Sequence, residues 1–243
     1  MRIELLGADI DNLSMQETVL KVTSFIKEGK RPCQIVTLNP EYLYRAQKQP
    51  EWMRLIREAE LVTPDGTGIV WACRMAGRPV QERVTGIDLM LSLMPVAEKE
   101  GWRIFLLGSS PGVAEEAAEN LKKQYPELKV VGTHHGYFKA EEEKEIVRQI
   151  KSARPHLLFV ALGMPRQEQF IDQYKEEMQV PVSMGVGGSL DVIAGKVQRV
   201  SPWLQKLQLE WLGRLIKEPS RWKRQLVLPK FAGLVIKKYL FKW

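Results

Sequence analysis

Short runs of β-branched and aliphatic residues alternate with longer segments of helical periodicity through the first 195 residues, and this alternation most limits the available folds. Positions 34–38, 61–63, 103–107, 129–132, 157–162 and 182–186 read as strands. Between them lie helices. Ser14-Met15-Gln16-Glu17 is a capping box opening a helix to about Lys27. Asn39-Pro40 starts a second, and Gly108-Ser109-Ser110-Pro111-Gly112 leads into one that runs through Tyr125. Further helices are expected over 88–98, 141–152 and 167–178. Strands that are apolar throughout and separated by helices require crossover connections and cover on both faces. The expected fold is therefore α/β, a Rossmann-like, mostly parallel sheet with helices on both faces and a C-terminal helical appendage.

Charge divides the chain near the same point. Residues 196–243 hold 12 Lys/Arg and 2 acids, whereas residues 1–195 hold 24 and 27, so the tail carries more than the whole net charge of +7. Four of the seven tryptophans, Trp203, Trp211, Trp222 and Trp243, also lie there. On a helical wheel of 201–217, Trp203, Leu204, Leu207, Trp211 and Leu215 form one stripe, and Leu209, Leu212 and Ile216 a second nearly opposite. The division expected is a catalytic domain over 1–195 and a basic amphipathic membrane-binding appendage over 196–243. No run reaches the roughly 18 apolar residues of a spanning helix, and the first residues lack a signal peptide's pattern. Cys33 and Cys73 have no metal-ligand spacing. These features point to the cytoplasm, with peripheral contact to the inner face of the cell membrane.

In an open parallel sheet, ligands bind beyond the carboxyl ends of the strands. The segments expected there are Thr37-Leu38-Asn39-Pro40, Thr63-Pro64-Asp65-Gly66, Gly108-Ser109-Ser110, Gly136-Tyr137, Gly163-Met164-Pro165-Arg166-Gln167 and Gly185-Val186-Gly187-Gly188. Glycines and small hydroxyls beside helix N-termini suit a phosphate-bearing ligand. Asp65 is the carboxylate best placed for general-base work; its competing role is to cap the helix that begins near Thr67. Thr37 and Asn39 share that ambiguity. Arg83 suits a leaving diphosphate or a surface ion pair with Glu82. Gln167 suits a sugar hydroxyl. Asp191 suits a base N–H, a ribose hydroxyl or simply a helix start. Asp9-Ile10-Asp11 and His134-His135 fall short of a ligand set, the histidines because neighbours on a strand point to opposite faces. No metal and no other cofactor is expected.

Taken together, Thr37-Leu38-Asn39-Pro40-Glu41, Thr63-Pro64-Asp65-Gly66, Arg83-Val84-Thr85-Gly86, Gly163-Met164-Pro165-Arg166-Gln167-Glu168 and Gly185-Val186-Gly187-Gly188 resemble the WecG/TagA/CpsF family of glycosyltransferases, and within it the TagA-type branch. The family often has lysine where this chain has Arg166. The resemblance implies an inverting transfer of N-acetylmannosamine from a UDP-sugar donor to the 4-hydroxyl of undecaprenyl-diphosphate-linked GlcNAc, in wall teichoic acid linkage-unit synthesis. It assigns Asp65 as the base. Thr37, Asn39, Arg83 and Gln167 would shape the sugar and phosphate site. Gly108, Tyr137, Gly187 and Gly188 would lie at the donor, and Asp191 at its uridine. Arg214, Arg221 and Arg224 of the appendage would reach the lipid diphosphate at an anionic membrane surface, and the spare apolar stripe would allow a homo-oligomer off the membrane. Two rivals stand beside this reading. One is transfer of UDP-N-acetylmannosaminuronic acid or another UDP-hexose. The other is a nucleic-acid-binding protein using the basic tail, although no nucleic-acid partner is expected.

Overall fold

The computed structural model describes residues 1–198 and 226–241. Six parallel strands form the central sheet: β3 (Cys33–Leu38), β4 (Leu61–Pro64), β5 (Arg103–Gly108), β6 (Lys129–His134), β7 (Leu157–Ala161) and β8 (Val182–Gly185). Their order is β4-β3-β8-β7-β5-β6. Strand β5 leads outward to β6, while its neighbour β7 leads the other way to β8. The order therefore reverses between β5 and β7, the position at which open α/β sheets form a ligand crevice.

Residue alternation along the strands explains the two faces. Ile35, Ile104, Leu106, Leu157 and Phe159 point into one buried cluster, covered by α1 (Met15–Glu28), α5 (Gly86–Glu100), α6 (Val113–Gln124) and the short α9 (Ser189–Ile193). Phe105, Leu107, Leu158 and Val160 point the other way, under α7 (Glu143–Ala153) and α8 (Arg166–Met178). On that same side Val36, Leu38 and Val62 meet α2 (Pro40–Ala46), α3 (Pro50–Glu58) and α4 (Thr67–Met75). The Ser14 capping box is formed in both directions with Glu17.

The first residues form an antiparallel hairpin that sequence reading did not anticipate, β1 (Arg2–Leu5) and β2 (Ala8–Asp11), joined by Leu6-Gly7. Both linking residues have positive φ, at 51° and 83°, as a two-residue hairpin with the natural strand twist requires. Asp11 belongs to this hairpin: one oxygen pairs with Arg2 and the other accepts from Val62 N–H. His134 closes β6, so strand alternation does not extend to His135, and the two rings lie 4.7 Å apart instead of on opposite faces.

Of the basic tail, α10 (Val227–Tyr239) falls among the described residues. It packs on α2 and α4 and sends Phe231 and Val235 into the cluster formed by the hairpin and α2–α4. Tyr239 Oη accepts from Leu6 N–H at 2.9 Å. The two stripes of 201–217, with Arg214, Arg221 and Arg224, lie outside the described residues.

Candidate active site

Beyond the ends of β3, β4 and β8 opens a cavity of about 880 Å3, within the range usual for small-molecule sites. Thr37, Asn39, Asp65, Arg83 and Gln167, each singled out from the sequence, all line it. Their positions follow from the local chain. Asp65 comes directly after β4, and its amide donates to Leu38 O at 2.9 Å, holding the ends of β3 and β4 together. Gly66, with φ 93°, then turns the chain into α4 and caps it without a side-chain bond. The Asp65 carboxylate reaches across to α5. Its Oδ2 accepts from the N–H of Gly86, the first residue of α5, at 3.2 Å. Thr85 caps α5 through Asp88 N–H.

The other side chains around Asp65 have defined partners. Asn39 does cap α2, accepting from Tyr42 N–H at 2.9 Å through Oδ1, which leaves its Nδ2 hydrogens outside the cap. Thr37 donates to Gly185 O at 3.2 Å, joining β3 to β8. Arg83 is half-buried on the cavity wall. Glu82, considered as its ion-pair partner, accepts instead from Met15 N–H at the start of α1.

Gln167 is the second residue of α8 and is buried. Its Nε2 donates to Glu168 Oε1 at 2.8 Å, and its Oε1 accepts from Gly187 N–H at 3.1 Å. Glu168 is only 1% exposed, and its Oε2 has no hydrogen-bond partner among the described residues. Burial pushes its carboxyl up to about 7, against the smaller opposing effect of the Gln167 bond.

A second cavity, about 650 Å3, lies at the reversal between β5 and β7. Tyr137 and Asp191 line it, and it shares Gly163, Gly187 and Gly188 with the first, so the two are adjoining lobes of one cleft. Asp191 Oδ2 accepts from Ser109 Oγ at 2.9 Å, which fixes the carboxylate at the rim. Tyr137 is 72% exposed on a loop held by Arg166, whose guanidinium donates to Gly136 O and Phe138 O and lies over the Phe138 ring. Gly108 lines neither lobe. Its φ is 129°, and a Cβ there would come within 2.4 Å of Ala161 O, so this glycine serves the packing of β5 on β7.

Three contributors were not legible beforehand. Trp71 and Arg74, on α4, and Phe231, on α10, wall the Asp65 lobe. Arg74 follows Thr67 by seven residues, so a two-turn face of α4 was the available signal. Phe231 reaches the site only through tertiary packing.

The arrangement sets carboxylates, Asp65 and Glu41 among them, and the cations Arg74 and Arg83 on the walls of one lobe of a two-lobed cleft. Among the described residues, no group of three or more His, Cys, Asp or Glu is arranged to hold a metal ion. Comparison with known proteins points in one direction. The family model described as "Glycosyl transferase WecG/TagA/CpsF family" matches residues 3–243. An N-acetylglucosaminyldiphosphoundecaprenol N-acetyl-beta-D-mannosaminyltransferase of Bacillus subtilis (strain 168) is 38% identical over 204 residues, covering 84% of this chain and 79% of the relative. The protein of the same description from Bacillus spizizenii is 36% identical over 215 residues, covering 88% and 82%. That from Staphylococcus aureus (strain MW2) is 34% identical over 237 residues, covering 97% and 92%. With a match along nearly its whole length, the chain belongs to the WecG/TagA/CpsF family and is a glycosyltransferase.

Proposed function

We propose that this enzyme transfers N-acetylmannosamine from UDP-N-acetylmannosamine, with inversion, to the 4-hydroxyl of GlcNAc-diphospho-undecaprenol, the step that builds the linkage unit of wall teichoic acid. The observation that carries this reading is the two-lobed cleft. Asp65, Arg83 and Gln167 share one lobe, Tyr137 and Asp191 the other, and the Gly187-Gly188 turn lies between. The activities of the relatives supply the sugar and the acceptor.

In this reading uridine occupies the Tyr137–Asp191 lobe, where an exposed aromatic ring and a fixed carboxylate suit stacking and hydrogen bonding to a nucleoside. The diphosphate crosses the glycine turn. The hexosamine lies among Thr37, Asn39 and Gln167. Asp65 removes the proton from the acceptor hydroxyl as that oxygen attacks the anomeric carbon, and the bond to the UDP oxygen breaks on the opposite face. Arg83 and backbone N–H groups stabilise the charge gathering on the departing diphosphate.

The acceptor is a lipid, so the cleft must meet a bilayer. Supporting this, α10 holds Lys230, Lys237 and Lys238 exposed, and Leu226, Leu240 and Phe241 are exposed at or beside its two ends. Among the described residues, no helix is long and apolar enough to cross a membrane. Peripheral binding to anionic lipid, with Arg214, Arg221 and Arg224 near the lipid diphosphate, completes the proposal.

The deciding experiment incubates the protein with a short-chain GlcNAc-diphospholipid and a panel of UDP-sugars, and identifies products by mass spectrometry and anomeric linkage. N-acetylmannosamine should be transferred best and with inverted configuration. Preference for the uronic acid donor, or a retained anomer, would overturn the assignment.

A further inference from the structure

Glu168 takes no part in the mechanism above, yet it is an acid at 1% exposure against the wall of the catalytic lobe. An ionisable group in such a place is costly unless something requires it. Its one side-chain bond is to Gln167, and the geometry of that bond suggests the requirement. Gln167 Oε1 accepts from Gly187 N–H at 3.1 Å while Nε2 donates to Glu168 Oε1 at 2.8 Å. Flipping the carboxamide would set oxygen against the carboxyl oxygen and N–H against N–H. The amide is thereby locked, one Nε2 hydrogen engaged by Glu168 and the other without an acceptor among the described residues.

The surrounding backbone reinforces the lock. A Cβ on Gly185 would fall 2.5 Å from Gln167 Nε2 and 3.0 Å from Glu168 Oε1, so the absent side chain makes room for the pair. Gln34 Nε2 donates to the main-chain oxygen of Glu168 at 3.1 Å, fixing the start of α8 to β3. The carboxyl therefore stands on a rigid base and acts through its neighbour.

We propose that Glu168 is a positioning residue that holds Gln167 as a pure hydrogen-bond donor to the acetamido carbonyl of the transferred sugar, and so sets selectivity for N-acetylhexosamines over plain hexoses. This rests on the glycosyl-transfer reading. A hydroxyl can donate or accept and adapts to either orientation of an amide; an acetamido carbonyl only accepts. The acetamido oxygen also stands two bonds further from the ring than a hydroxyl oxygen, so a fixed donor placed for it is left unpaired by a plain hexose.

The test compares wild type, Glu168→Ala, Glu168→Gln, Gln167→Ala and the double alanine variant, each with UDP-N-acetylhexosamine and with the matching UDP-hexose. Thermal melts confirm folding. For the N-acetylated donor, Glu168→Ala should lower kcat/KM about 10- to 100-fold. For the hexose the loss should be much smaller, so the ratio between donors narrows. Glu168→Gln, which still offers an oxygen to Gln167, should restore most of the loss. The double variant should be no worse than Gln167→Ala alone, because both substitutions remove one interaction. Equal losses on both donors, or losses that multiply in the double variant, would overturn the proposal. Wild-type turnover tests the transferase reading separately. If turnover fails but UDP-N-acetylhexosamine binds, the same cycle is read from calorimetric binding constants, and absence of binding overturns this proposal as well.

Discussion

The Oδ2 atom of Asp65 accepts from the backbone N–H of Gly86 at 3.2 Å, so a carboxylate that leaves β4 is tied to the start of α5. The sequence allowed a cap on α4, a reactive group at the cleft, or both; Gly66 takes the N-cap position of α4, and one carboxylate oxygen of Asp65 is held by α5. It also places the N-terminus of α5 beside Asp65.

Replacing Asp65 with Asn keeps an oxygen for Gly86 N–H and nearly the same shape. Folding and UDP-sugar binding should persist while turnover falls about 10²- to 10⁴-fold. Single-turnover kinetics alongside calorimetry will separate the two, and turnover near that of wild type would remove Asp65 as the base.

Glu168 makes stability depend on pH with a definite sign. Burial pushes its carboxyl up to about 7 in the folded chain from an ordinary value of 4.5, so the unfolded state releases the proton first as pH rises. The folded state is unpenalised below pH 4.5, loses ground through the interval to 7, and carries the full penalty above it. Between pH 5 and 8 the contribution is about 2 to 3 kcal/mol. Tyr42, whose hydroxyl is pushed up by burial and then by Glu168 and Asp172, stays neutral across this range. Asp172 is held by Arg54 and Lys175. Urea melts at several pH values should show a markedly flatter profile for Glu168→Gln than for wild type; identical profiles would contradict the assignment.

Within the tail, α10 should separate core from anchor. Phe231 is 2% exposed, and Phe231→Ala should cost about 3 to 5 kcal/mol by chemical denaturation. Reversing Lys230, Lys237 and Lys238 to Glu should shift stability little, since surface changes usually stay within about 0.5 kcal/mol each. The same reversal should weaken flotation with anionic vesicles, where each lysine contributes about 1 kcal/mol. Vesicle binding indifferent to the reversal would move the anchor elsewhere.

Activity should be unchanged by EDTA, and Asp11→Ala should act on stability. One oxygen of Asp11 faces Arg2 and the other binds Val62 N–H, so the residue joins the hairpin to β4. Activity lost to chelation and regained with Mg2+ or Mn2+ would give the Asp9-Ile10-Asp11 pattern a different meaning.

What could be read from the chain and what could not divide along physical lines. Strands β3, β4, β5, β7 and β8 are buried on both faces and so appear as apolar runs, and the helix beginning at Met15 announces itself through the Ser14 cap. The β1–β2 hairpin was present as alternation, Ile3, Leu5, Ala8 and Ile10 inward, but Leu6 is a poor turn signal at positive φ. Asp65, Arg83 and Gln167 were legible because polar side chains at strand ends stand out against the sheet. Gly108 was misplaced because glycine marks close approach without saying whether a ligand or the neighbouring strand makes it. Glu168 in the first turn of α8 has the form of an ordinary solvent-facing helix acid; only the packing of Tyr42 and Gly185 around it makes it a buried one.

The bond from Leu6 N–H to Tyr239 Oη spans 233 positions of sequence. A ribosome exposes the hairpin long before α10, so the layer over α2 and α4 stays open until α10 emerges. Phe231 also walls the catalytic lobe, so the same late event that closes this layer completes the pocket. The lobe that Asp65 lines therefore stays unfinished until α10 docks, and a chain cut before Val227 would lack one of its walls.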